Sequence, residues 1–144
     1  MTPEPKSARG QEGAAVSPIR KGFRTVTPYL VVEGAARLMD FIKAAFGAVE
    51  KFRAPGPEGR LMHAEALIGD SMIEMADANP QYGPMPAAIH LYVENVDAVY
   101  QRALDAGAKS ISAPVDQPYG DRSGGVVDPF GNRWFIATHF KDVI

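Results

Sequence analysis

From residue 24 onward the chain switches between two hydrophobic rhythms. Residues 24–33, RTVTPYLVVE, repeat with period two, which predicts a strand with Val26, Leu30 and Val32 on one face and Thr27, Tyr29 and Val31 on the other. Leu38, Phe41, Ile42 and Ala45 then keep the i, i+3, i+4, i+7 spacing of a helix over Ala35–Phe46, and Gly47 supplies its stop. Period two returns in LMHAEALI (61–68) and SMIEMA (71–76), joined by Gly69-Asp70, a pair suited to a two-residue hairpin turn.

The same score is then played again. LVVEGAARLMDFIKAAFGA (30–48) aligns with LYVENVDAVYQRALDAGA (91–108) at an offset of 61. The Ala-Pro at 54–55 aligns with that at 113–114 at an offset of 59, and GDSMIEM (69–75) with FGNRWFI (130–136) at 61. Val96, Val99, Tyr100 and Ala103 mark the second helix, ended by Gly107. Asp128-Pro129-Phe130-Gly131-Asn132 fits a longer hairpin loop built on a type I turn, with Gly131 at positive φ. Each half therefore reads strand, helix, strand, strand, strand, an α+β architecture of two βαβββ modules at about 24–77 and 87–139.

Strand alternation also assigns faces. Met62, Ala64, Ala66 and Ile68, with Ile73 and Met75, are expected to cover the first helix, which leaves Leu61, His63, Glu65, Leu67, Met72, Glu74 and Ala76 opposite. In the second half Ile89, Leu91, Val93, Trp134 and Ile136 face the helix. Ala88, His90, Tyr92, Glu94, Arg133, Phe135, Ala137 and His139 face away, so all three histidines fall on helix-distal faces. Counting outward from the Gly69-Asp70 turn sets Glu65 directly across from Glu74. Opposed like charges cost a few tenths to ~1 kcal/mol on an exposed sheet and more when buried. A bound cation, a histidinium, an arginine or a shared proton must offset them. His63 or Arg133 doing so as an internal ion network is the structural explanation; a ligand site is the functional one.

Composition narrows the functional classes. At 144 residues with a net charge of −2, no basic cluster and no phosphate-loop glycine pattern, the chain gives no reason to expect a nucleic-acid partner. Cysteine is absent, which excludes disulfides, thiolate nucleophiles and cysteine-ligated zinc. No apolar run is long enough for a membrane span. Residues 1–22, rich in Pro, Gly, Ser and charge, are expected to be a flexible tail preceding one domain over 23–144, in a cytoplasmic protein.

The duplicated βαβββ pattern, with the phrases TPYLVVEGAARLMDFIKAAFGA, MHAEALIGDSMIEMAD, DRSGG and DPFGNRWFIATH, resembles the vicinal oxygen chelate superfamily, which spans glyoxalase I, extradiol dioxygenases and bleomycin-resistance proteins, and within it the PhnB-like branch. The resemblance runs from about Phe23 to His139. It implies curled mixed sheets around a cavity, usually in a homodimer, and metal ligands on the first and last strands of each module. Carried onto this chain, those positions are Thr27, Glu74, Ala88 and Phe135, of which only Glu74 binds metal strongly.

Three readings remain open. In the first, the cavity binds a small organic molecule without a tightly held metal, using Thr27, Tyr29, His63, Leu67, His90, Tyr92, Phe135 and His139, with Glu65 and Glu74 favouring a basic or polyhydroxylated guest. In the second, a relocated set drawn from His63, Glu65, Glu74 and His90 holds a divalent metal (Zn, Ni, Mn or Fe). Glu65 or Glu74 then serves as the catalytic base of a lyase, isomerase or dioxygenase. The third is a dimerisation module with a vestigial cavity.

Overall fold

The computed structural model describes residues 15–144, so most of the tail expected over 1–22 lies outside the described residues. The elements run β1 (Tyr29–Val32), α1 (Ala35–Phe46), β2 (Val49–Pro55), a short 3-10 turn (Pro57–Gly59), β3 (Leu61–Ile68) and β4 (Ser71–Asp77). They continue with β5 (Ala88–Tyr92), α2 (Val96–Asp105), β6 (Lys109–Asp116), β7 (Asp121–Val127) and β8 (Arg133–His139). The strands form two mixed four-stranded sheets, ordered β1-β4-β3-β2 and β5-β8-β7-β6. In each, the first strand runs parallel to the last and the other pairs are antiparallel. This is the tandem βαβββ architecture that the repeat predicts.

The helices hold the two modules together. α1 packs on α2, and the Phe46 ring lies 4.7 Å from that of the fully buried Trp134. Leu30, Leu38, Ile42, Ala64, Met75, Val99, Ala103 and Ile136 join the same buried cluster. The core is thus one body shared by both modules, with each sheet turning its other face outward. Burying the leucine, isoleucine, valine and methionine side chains among them stabilises by about 1.5–3 kcal/mol each.

Each last strand also secures the start of its module's helix. The first backbone N–H groups of a helix lack intrahelical partners. Asp77, at the end of β4, accepts from the N–H groups of Gly34 (2.7 Å) and Ala35 (3.1 Å) with one oxygen, and from that of Leu61 (2.7 Å) with the other. Thr138 stands 61 positions later, and its hydroxyl accepts from the Val96 N–H at 2.9 Å while donating to the Val93 carbonyl. In the second module Asp128 adds a buried acceptor for the N–H groups of Phe130 and Asn132, the Asn132 amide and the Trp134 indole. That set fixes the 128–132 loop, where Gly131 has the expected positive φ of 92°.

Two strand expectations need correction. β1 covers only Tyr29–Val32, and Val26 is 81% exposed instead of facing the helix. Pro28 has no N–H to donate, and its carbonyl takes the last bond of the ladder from the Glu74 N–H. Met62, expected to cover α1, is 69% exposed, and Leu61, expected to face away, is buried. The β2–β3 pairing shifts register between Ala54 and Pro55, opposite His63 and Leu61, and one residue of slip exchanges the faces.

Burial pushes the Asp77 carboxyl up, but its three backbone donors, with Arg60 nearby, bring it below the ordinary range. A depressed carboxylate stabilises the fold above its unfolded pKa, and that contribution is lost as pH falls through the folded value. Asp77→Ala is expected to lower unfolding free energy by roughly 2–3 kcal/mol, read in urea titrations at neutral pH, with the gap to wild type closing under acid. A loss below about 0.5 kcal/mol would show that the helix start is held otherwise.

Candidate binding site on the first sheet

Register across the first sheet lays four side chains in one row. Tyr29 of β1 stands beside Glu74 of β4, Glu74 beside Glu65 of β3, and Glu65 beside Phe52 of β2. The opposition of the two glutamates is as the hairpin count predicts. His63, two residues along β3, completes the patch between two rings, 5.7 Å from Tyr29 and 6.2 Å from Phe52 by centroid. One donor atom each from His63, Glu65 and Glu74 lies within 4.8 Å of the others.

Glu65 is the buried member, its side chain 4% exposed. The cation that offsets it comes from the segment before the first module. Arg20 Nη1 donates to Oε2 at 2.8 Å and Nη2 to Oε1 at 3.2 Å, a bidentate fork. His63 Nε2 sits 2.9 Å from Oε2, and Tyr29 Oη lies 3.2 Å from His63 Nδ1. An ionised carboxylate only accepts, so Nε2 carries a proton and Tyr29, His63, Glu65 and Arg20 form one hydrogen-bonded chain. The Arg20 hydrogen bond holds the Glu65 carboxyl below the usual carboxylate range against the opposing effect of burial, and the His63 bond adds to it. Burial, then Glu74, pushes the Tyr29 phenol up. Among the described residues, no side-chain hydrogen bond reaches the half-buried Glu74 carboxylate.

The second sheet bears a different row: His90, Phe135, Gly125 and Ser112. A Cβ on Gly125 would come within 3.1 Å of the Phe135 ring, and one on Gly124 within 2.9 Å of Pro114 and Ser112 backbone atoms. The paired glycines of DRSGG therefore let the ring and the neighbouring strand close down on β7. Further along this sheet His139 bridges Asp121 (2.7 Å) and Asp142 (2.6 Å), and the Tyr92 hydroxyl donates to Asp121 at 2.9 Å. His90 stacks beside Tyr92, with ring centroids 4.8 Å apart.

Two clefts flank these rows. One of about 1020 Å³ runs between the modules, lined by Thr27, Met72, His90, Tyr92, Val99 and Arg102 among others. A second, of about 660 Å³, is walled by Tyr29, Val31, Leu61, Met62 and Tyr82. Within one chain the residues singled out from sequence thus fall into separate places. Tyr29, His63, Glu65 and Glu74 converge, while Thr27, His90 and Tyr92 line the larger cleft. Of the converging group only Tyr29 lines a cleft, the smaller one; His63, Glu65 and Glu74, like Leu67, Phe135 and His139, line neither. His90 does not join the His63–Glu65–Glu74 group. Arg133, one of the two neutralisers considered, sits on β8 of the other sheet.

Sequence reasoning missed Arg20 and Asp121. The unbalanced acidic pair called for a cation, but no periodicity marks Arg20, 45 residues from its partner. Asp121 opens β7, whose alternation, followed outward from DRSGG, carries the signal.

The superfamily's metal positions do not fit a metal here. Thr27 precedes Pro28 outside the ladder, and Ala88 and Phe135 offer no donor side chain, which leaves Glu74 alone.

Paired βαβββ modules sharing one helical core, with the other face of each sheet turned outward, define a two-module α+β scaffold. Residues 23–136 match the Glyoxalase/Bleomycin resistance protein/Dioxygenase superfamily, and the chain belongs to it. Uncharacterized proteins Mb0911c of Mycobacterium bovis and Rv0887c of Mycobacterium tuberculosis are each 43% identical over 129 residues. The alignments cover 82% of this chain and 85% and 76% of those proteins, respectively. Among solved structures, TioX from Micromonospora sp. ML1 superposes with a TM-score of 0.69 at 23% identity, over 81% of this chain and 99% of that one. The PhnB protein from Bacillus cereus does so with a TM-score of 0.62 at 18% identity, over 80% and 99%. At these identities the likeness is one of fold. No helix among the described residues is long and apolar enough to cross a membrane.

Because Arg20 and His63 already offset the acidic pair, Glu65→Gln is expected to destabilise the protein by more than about 1 kcal/mol at neutral pH. Glu65 has a depressed carboxyl, so its contribution is present above the ordinary carboxylate range and fades as pH falls through the folded value. Unfolding curves at pH 7 and pH 4 check both statements; a stabilised variant would mean that repulsion from Glu74 outweighs the bonds from Arg20 and His63.

Proposed function

We propose that the protein binds a small organic molecule on the helix-distal face of its first sheet, without a tightly held metal, and works as a homodimer. The observation that carries this reading is the row Tyr29–Glu74–Glu65–Phe52. A buried carboxylate is held ionised there beside a second that has no side-chain partner among the described residues, between aromatic walls. Aromatic surface with a few converging polar groups is the usual make-up of a ligand site. Leu67 lies two residues along β3 from Glu65, whereas Thr27 and the second-module residues His90, Tyr92, Phe135 and His139 enter the site only if another module is laid over this face. Phe52, Met62, Tyr82 and Met85 near the first sheet, and Tyr92, Ile111, Val115 and Tyr119 near the second, are exposed apolar side chains for such a second copy to cover.

A second reading has one specific observation in its favour, the convergence of His63, Glu65 and Glu74. Those three donors would hold a divalent ion with open positions, once Arg20 leaves Glu65. The ion would supply Lewis-acid stabilisation of an enolate. With Arg20 gone, the arginine that depresses Glu65 is gone as well, so either Glu65 or Glu74 would serve as the general base in this reading.

One experiment separates the two. Thermal-shift screening of small organic molecules, run with and without chelator on untagged protein, is expected to give midpoint shifts that chelator leaves unchanged. Elemental analysis of the same preparation is expected to find no stoichiometric metal. Stoichiometric Zn, Ni, Mn or Fe that disappears in Glu74→Gln would instead establish the metal reading. Light scattering at micromolar concentration is expected to give twice the 15.5 kDa chain mass, and a monomeric mass would refute the homodimer.

A further inference from the structure

Arg20 has an odd position for a structural ion-pair partner. It lies before the first module, outside the repeated pattern that builds both sheets, and its side chain is 68% exposed while that of Glu65 is 4% exposed. A turn presents it, closed by the Phe23 N–H on the Arg20 carbonyl at 2.9 Å, with Gly22 at a φ of 87°. Its guanidinium stacks 4.5 Å from the Phe23 ring centroid. The head group reaches a carboxylate that the sheet itself buries and orients, using the two parallel bonds a planar fork makes.

A buried carboxylate left without a partner is costly, so whatever removes Arg20 must replace its charge and its geometry. Glu74 stands beside Glu65 and His63 flanks it between the Tyr29 and Phe52 rings, so the surroundings suit a flat cation with a second anionic contact. We propose that Arg20 is a tethered occupant of the ligand site, and that the free ligand carries a guanidinium or amidinium group that displaces Arg20 from Glu65 and also meets Glu74. The proposal rests on the first-sheet face being the ligand site and adds to it the chemical class of the guest and a built-in competitor. A tethered group acts at an effective concentration in the millimolar range, so its removal frees the site for weak cations.

The test uses the full chain with benzamidine and methylguanidine as probes and n-propylamine as the non-planar control, followed by calorimetry. Arg20→Ala is expected to bind benzamidine at least about tenfold more tightly than wild type, the factor by which an occluding contact populated nine-tenths of the time reduces apparent affinity. Adding Glu65→Gln to Arg20→Ala is expected to abolish that gain, and n-propylamine to bind more weakly than either planar cation. If Arg20→Ala folds poorly, methylguanidine is expected to raise its unfolding midpoint more than that of wild type. Benzamidine binding no tighter in Arg20→Ala than in wild type, with no rescue by methylguanidine, overturns the proposal. In that event, if any small organic molecule from the thermal-shift screen binds both proteins, only the tethered-occupant proposal falls; if nothing binds either protein, the ligand-site reading falls with it.

Discussion

Asp77 ties three elements of the first module together at one carboxylate. Its two oxygens gather backbone donors from the start of α1 and the start of β3 while the residue itself ends β4. Three elements far apart in the chain are thereby brought to one point through charge-assisted bonds, which are about twice as strong as neutral ones. With both ends of the β3–β4 hairpin so held, turn at one end and carboxylate at the other, the pairing has one register. That register is what sets Glu65 against Glu74.

The site follows from this constraint by a conflict. Two glutamates in register, one of them buried, are unfavourable until a cation arrives, and both sheet faces were already committed by the hydrophobic pattern. The chain resolves the conflict with a histidine two residues away and an arginine from outside the repeat. The second module meets no such conflict at the equivalent row, where Phe135 covers Gly125, and the buried acid of β7, Asp121, is satisfied further along by Tyr92 and His139. Duplication preserved the scaffold, including the Asp77 and Thr138 positions that start the helices, while the two rows diverged in chemistry.

Of the four positions that the superfamily pattern gives to metal ligands, this chain has one strong donor, Glu74, and the polar side chains that converge with it belong to β3. Glu65 and His63 both come from that strand, next to Glu74.

Period-two and period-3.6 patterning, the offset of 61 and the Gly69-Asp70 turn determined by themselves both modules, both helices, the opposition of Glu65 to Glu74 and the burial of Trp134. Those features are local or follow from counting along paired strands. Tertiary structure alone decided the rest. The bulge opposite His63 and Leu61 exposed Met62, a slip that alternation cannot foresee because it depends on how β2 meets β3. β1 begins only at Tyr29 because Pro28, with no N–H to donate, only accepts from Glu74 in its pairing with β4. Helix-to-helix packing kept the two sheets apart, so His90 stayed away from His63 although both lie on helix-distal faces. The partner of Glu65 was settled by the path of the chain before the first module, since an ion pair spanning 45 residues is fixed by where the backbone goes and leaves no periodic trace along the chain.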